Sequence, residues 1–140
     1  LRVLLAELVR VLRAHPQLVD LIAMRVLAGP AGLTLAERAL AALSAAGFSD
    51  TVSGQLAGHA MRTAMALATD DVVDDSGMSS AEREEHLRQK RAMLAALPGA
   101  QYPHLIACAD SMTYCPDPDE FFALGIDHFV AGVEAMAARR

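Results

Sequence analysis

His59 and Arg62 lie three residues apart in a stretch otherwise rich in Ala, Gly and Met. On a helix that spacing puts them one turn apart, where they could line a pocket and orient a ligand's polar group. The plainer reading is a satisfied pair at an interface or on the surface, since buried polar groups are usually hydrogen-bonded for structural reasons. Metal chemistry finds little support. The histidines, His15, His59, His86, His104 and His128, contain no His-x3-His pair, and Cys108 and Cys115 are not at zinc-ligand spacing. No Glu is followed three residues later by His, so a di-iron bundle lacks its ligands. There is no Gly-x-Ser-x-Gly elbow, no phosphate-binding glycine loop and no acid–base constellation. No enzyme, metal or cofactor is therefore expected. The run Asp70-Asp71-Val72-Val73-Asp74-Asp75 could hold a cation but reads first as a solvated acidic loop. Met24, Met61, Met65, Met93 and Met112 either wall an adaptable cavity or are plain core. Tyr102 and His104, bracketing Pro103, either edge that cavity or are ordinary loop residues.

The elements that would carry these residues are all helical. Thr34 and Glu37 have capping-box spacing, predicting a helix over 35–46. It closes at Gly47, which takes a left-handed C′ conformation cheaply, with Phe48 folding back onto the last turn. Ser49 or Asp50 then caps a long helix to about residue 72, carrying Val52, Leu56, His59, Met61, Met65 and Leu67. Upstream, Leu1, Leu4, Leu5, Leu8, Val11 and Leu12 form one apolar stripe, with Glu7, Arg10 and Arg13 outside. His15-Pro16 ends that helix and starts a second, to Leu27, with Leu18, Leu21, Ile22 and Met24 inward. Residues 28–32 read as a turn.

Downstream, Ser79 and Glu82 form a second capping box, opening a mostly solvated helix resting on Leu87, Leu94 and Leu97. A helix over 102–112 turns Leu105, Ile106 and Ala109 inward, and Tyr114-Cys115-Pro116 is a linker. Asp117-Pro118-Asp119-Glu120 starts the last helix. Its Phe122, Ile126, Phe129, Val133 and Met136 make a heptad-like seam, flanked by Gly125 and Gly132, which permit close approach of another helix.

A 54% hydrophobic and 21% charged composition is apolar for a single domain of 140 residues. The surplus implies a face covered by a second copy. Net charge is −5 and Lys90 is the only lysine, so no basic stripe exists for nucleic acid. Two cysteines make no disulfide framework, which favours a reducing cytoplasm. No apolar run reaches the roughly 20 residues that span a bilayer. The sequence starts without Met, already inside a helical pattern, and reads as the later part of a longer protein.

The string Ala45-Ala46-Gly47-Phe48-Ser49-Asp50 before a long helix, with a terminal Phe-x-x-Gly-x6-Gly-x-Glu over 122–134, resembles the C-terminal domain of TetR-family transcriptional regulators. The subgroup it is most similar to is typified by the tetracycline repressor, and the likeness runs from His15 through Ala138. The resemblance implies a missing N-terminal helix-turn-helix domain through which DNA is bound. It also implies homodimerisation by a four-helix bundle built from the long middle helix and the last helix. A small effector would enter among the earlier helices and release the operator. The tetracycline repressor's helix ligands to drug-bound magnesium have no counterpart among Ala23, Met24, Arg25 and Val26. Asp70 falls near the family's acidic metal-side residue, and its role stays open.

The expectation is thus an all-α domain of about seven helices over 1–140, sensing a small, largely apolar effector for a repressor. Candidate effector contacts are Met24, Leu40, Leu43, His59, Arg62, Met65, Tyr102 and Ile106. Candidate dimer contacts are Val52, Leu56, Phe122, Gly125, Ile126, Phe129, Gly132, Val133 and Met136. The alternative is a stand-alone helical dimerisation module that never carried a DNA-binding head.

Overall fold

The computed structural model describes residues 1–69, 79–114 and 117–139, apart from the side chains at 20, 23 and 24. The readings of Asp70 and the acidic run, of Cys115-Pro116 and of the Met24 side chain therefore lie outside the described residues. Among those described, every regular element is helical: α1 (Arg2–Ala14), α2 (Val19–Arg25), α3 (Pro30–Ala45), α4 (Asp50–Thr69), α5 (Ser80–Ala95), α6 (Pro103–Ala107), α7 (Ala109–Thr113) and α8 (Pro118–Ala137). The chain parts into two compact units, Leu1–Asp70 with Asp119–Arg140, and Asp71–Pro118.

In the first unit, α1 buries Leu5, Val9 and Leu12, and packs chiefly on α4. Arg13 is not simply a solvated residue. Its guanidinium lies 3.8 Å from the centroid of the Phe122 ring and donates to Asp119 Oδ1 at 2.9 Å. An aromatic face and a carboxylate thus hold the same cation, pinning α1 to the start of α8. Arg2 pairs with Asp127 further along α8.

The single helix expected over 16–27 is instead α2 between two 3₁₀ turns, Pro16–Leu18 and Val26–Ala28. The cause lies in the neighbour. A Cβ at Gly32 would come within 1.6 Å of the Val26 carbonyl oxygen, so the second turn is pressed directly onto the start of α3. The capping box at Thr34 does not form, and α3 starts five residues earlier. Pro30 takes its first position, where a missing N–H costs nothing, and Gly29 precedes it in extended conformation. Thr34 then lies inside the helix, and its hydroxyl donates to the Pro30 carbonyl at 2.8 Å.

The other end of α3 follows the sequence closely. Gly47 has φ +87°. The Gly47 N–H donates to Ser44 O at 2.9 Å and the Phe48 N–H to Leu43 O at 3.3 Å. These are the two bonds of a Schellman ending, completed by apolar contact between residues 48 and 43. Leu43 and Phe48 share a buried cluster with Leu56 and Val133. The adjoining α4 buries Ser53, Leu56, Ala60 and Ala64 along one side. Ser53 Oγ has no hydrogen-bond partner.

In the second unit, the capping box at the start of α5 forms as expected. The Ser79 N–H donates to Glu82 Oε2 at 2.8 Å and the Glu82 N–H donates to Ser79 Oγ at 3.3 Å. Hydrogen bonds from the Ser79 side chain and backbone hold the Glu82 carboxyl below its ordinary pKa. The helix expected over 102–112 is broken at Cys108 into α6 and α7. Of Leu105, Ile106 and Ala109, only Ala109 is buried; Leu105 is exposed. Arg91 ties α5 to α7, donating to Asp110 Oδ1 at 2.8 Å.

The seam on α8 requires a correction. Phe122, Ile126, Val133 and, on α4, Leu56 are at most 8% exposed in the single chain. They pack in the chain's own core. Phe129 and Val52 pack beside the same cluster. Gly125 serves the chain itself, since a Cβ there would come within 2.7 Å of Leu67 Cδ2. Spacing alone selects the most apolar stripe of a helix, and α1, α3 and α4 cover that stripe first. Gly132 and Met136 stay exposed.

Candidate functional site

A cavity of about 530 Å³ lies wholly within the first unit. Its volume falls in the range of small-molecule sites. One wall is α1, which presents Leu1, Leu4, Leu5 and Leu8. The 3₁₀ turn supplies Val26 and Leu27, and α3 supplies Gly32, Leu35, Ala36, Ala39 and Leu40. The third wall is a stripe on α4: Gly54, Ala57, Gly58, Ala60, Met61, Arg62 and Met65.

The space exists because α3 and α4 carry several small residues opposite the leucines of α1. Gly54, Ala57 and Gly58 sit at helical spacing opposite a row of leucines, so backbone and methyl groups meet branched side chains without filling the gap. Met61 and Met65 close the same stripe with flexible thioethers that adjust to an occupant. Among the described residues of its lining, Arg62 is the one with an ionisable side chain. A Cβ at Gly58 would lie 3.9 Å from Arg62 Nη1, so the guanidinium folds back along α4 over a residue with no side chain. Among the described residues, Arg62 enters no hydrogen bond or ion pair, unlike Arg2, Arg10, Arg13, Arg88 and Arg91.

Of the effector candidates, Leu40, Arg62 and Met65 line this cavity. His59 does not; it is exposed on another side of α4 and separates from Arg62 in role. Leu43 is 1% exposed in the core cluster beneath Phe48. Tyr102 and Ile106 belong to the second unit, Tyr102 exposed and Ile106 half-buried. Sequence reasoning passed over the α1 leucines as simple core and did not weigh Gly54, Ala57 and Gly58. The signal was present: glycine and alanine recurring at i, i+3 and i+4 in a helix that must pack against leucines. Among the described residues, no group of three or more His, Cys, Asp or Glu is placed to hold a metal ion.

Comparison with known proteins places this geometry in context. The family model described as tetracyclin repressor-like, C-terminal domain, matches residues 1–137. Among solved structures, apo ActR from Streptomyces coelicolor is similar, with a TM-score of 0.74 and 26% identity over 95% of this chain and 60% of that one. The chain thus spans 60% of the ActR chain it matches. No curated protein matches.

Proposed function

The chain belongs to the tetracyclin repressor-like C-terminal domain family, and from that premise we propose that it senses a small, largely apolar effector for a DNA-binding repressor. The observation carrying the proposal is the cavity of about 530 Å³ among α1, α3 and α4. Its walls come from elements far apart in sequence, so an occupant touches three helices together. A ligand shifts an arrangement of helices only if it binds one arrangement better than another. Here α4 is the natural transmitter: one side borders the cavity, while Ser53, Leu56 and Ala64 are buried on another and Ala60 lies between the two.

Dimerisation in this proposal uses the outer face of α8. Leu124, His128, Ala131, Gly132 and Ala135 are all exposed and recur at helical spacing, with Leu124 69% exposed. Small residues beside an open leucine let a second helix approach closely, and a second copy of the chain is the proposed occupant. DNA contact and operator release belong to an N-terminal domain outside this sequence.

The experiment is a thermal-shift titration of the full chain with 1-anilinonaphthalene-8-sulfonate, beside Ala39→Phe, which places a ring into the cavity from α3. The native chain should be stabilised by the probe and the variant should not. An equal shift in both would remove the cavity from the proposal. Light scattering on Leu124→Arg should give a monomer where the native chain gives a dimer. In the longer protein, cavity occupancy should weaken operator binding.

A further inference from the structure

We infer that the occupant of the cavity is an anionic amphiphile, an apolar body bearing one carboxylate, and that Arg62 recognises the acid group. This deepens the effector-sensing proposal and rests on it. The cavity wall is aliphatic or thioether almost throughout, and Arg62 is the one charge in it. That guanidinium has no acidic partner among the described residues, whereas Arg2, Arg10, Arg13, Arg88 and Arg91 pair with Glu or Asp.

Arg25, Arg38 and Arg139 are also without a carboxylate among the described residues, so what sets Arg62 apart is its place in the cavity lining. Arg62 lies over Gly58 at the exposed edge of the cavity lining, where no side chain stands beside its guanidinium. A planar guanidinium matches a carboxylate through two parallel N–H···O bonds, which an alcohol cannot accept and an ammonium repels. The leucines of α1 and the methionines of α4 would then take up the apolar body.

The test compares decanoate, decan-1-ol and decylamine, each below its micellar concentration, on the full chain. Binding is read by displacement of the naphthalene probe and by melting temperature. The native chain should bind in the order acid, alcohol, amine, with decanoate about tenfold tighter than the alcohol, as one partly exposed charge-assisted contact implies. Arg62→Gln should reduce decanoate to the level of the alcohol while leaving the alcohol unchanged. Arg62→Lys should keep the preference for acid in weaker form. Alcohol binding as well as acid in the native chain, or an acid preference that survives Arg62→Gln, would overturn the inference and leave the cavity proposal standing. Absence of binding by any of the three would overturn both.

Discussion

The unit of α1–α4 and α8 buries side chains drawn from five separate helices or turns, including Leu12, Val19, Leu43, Ala64 and Phe122. In α5–α7, burial among the described residues is confined to Leu94, Ala109 and Thr113. The second unit carries exposed polar contacts: the Ser79–Glu82 box and the Arg88–Glu85 pair along α5, and the Arg91–Asp110 bridge from α5 to α7. The contrast teaches where a cavity can persist. Holding leucines apart across 530 Å³ without collapse requires walls fixed from behind by a packed core. The first unit has that backing, and the polar face of α5 does not supply it.

The comparison breaks most easily at Leu12, which is 0% exposed. Leu12→Ala should destabilise the chain by about 3 kcal/mol in urea melts, through lost burial and an added void. Leu94→Ala, in the thinner core and 8% exposed, should cost clearly less. Equal losses would mean that the two units are not stabilised differently. Next comes Gly47, whose φ of +87° is unfavourable for any residue with a Cβ. Gly47→Ala should cost about 1 kcal/mol by the same measurement, because the ending of α3 positions Phe48 over the core.

Ser53→Ala works in the opposite direction. Its buried hydroxyl has no partner, so removing it should leave stability unchanged or raise it by up to about 1 kcal/mol. The smallest effect belongs to the second unit. The pKa of Glu82 is lowered on folding, so its contribution is present above the ordinary carboxylate range and fades as pH falls through the lowered value. Protection factors for amide exchange at 80–83, taken relative to the slower intrinsic exchange in acid, should therefore fall as pH is lowered, and Ser79→Ala should lower them at neutral pH. Neither change should alter exchange in α1 or α4. Spread of the effect into those helices would show that the units are energetically one.

Helix existence was legible almost throughout, because amphipathic spacing and local punctuation act within a few residues. The Gly47-Phe48 ending and the Ser79–Glu82 box formed as their side-chain chemistry requires. The beginning of α3 was misread because two local signals competed, a capping box at Thr34 and a proline at position 30; docking of Gly32 onto Val26 accompanies the earlier start. Of the candidate effector contacts, Arg62 was readable as a polar residue and Met65 as an adaptable one, and both line the cavity, as does Leu40. The leucines of α1 were not, since a leucine facing a void and one facing a core have the same spacing.

By itself the sequence determined the all-α class, most helix boundaries, the acidic balance and the family, since each depends on residue type and short-range order. Which apolar stripe is covered by the chain and which is left over was decided only by the tertiary structure. The 4-3-4-3 seam of α8 turned inward, exposing the stripe with Leu124 and Gly132. The cavity was decided in the same way. Its volume is the difference between the large residues of α1 and the small ones that α3 and α4 set opposite them, and that difference has no meaning until the helices are packed together.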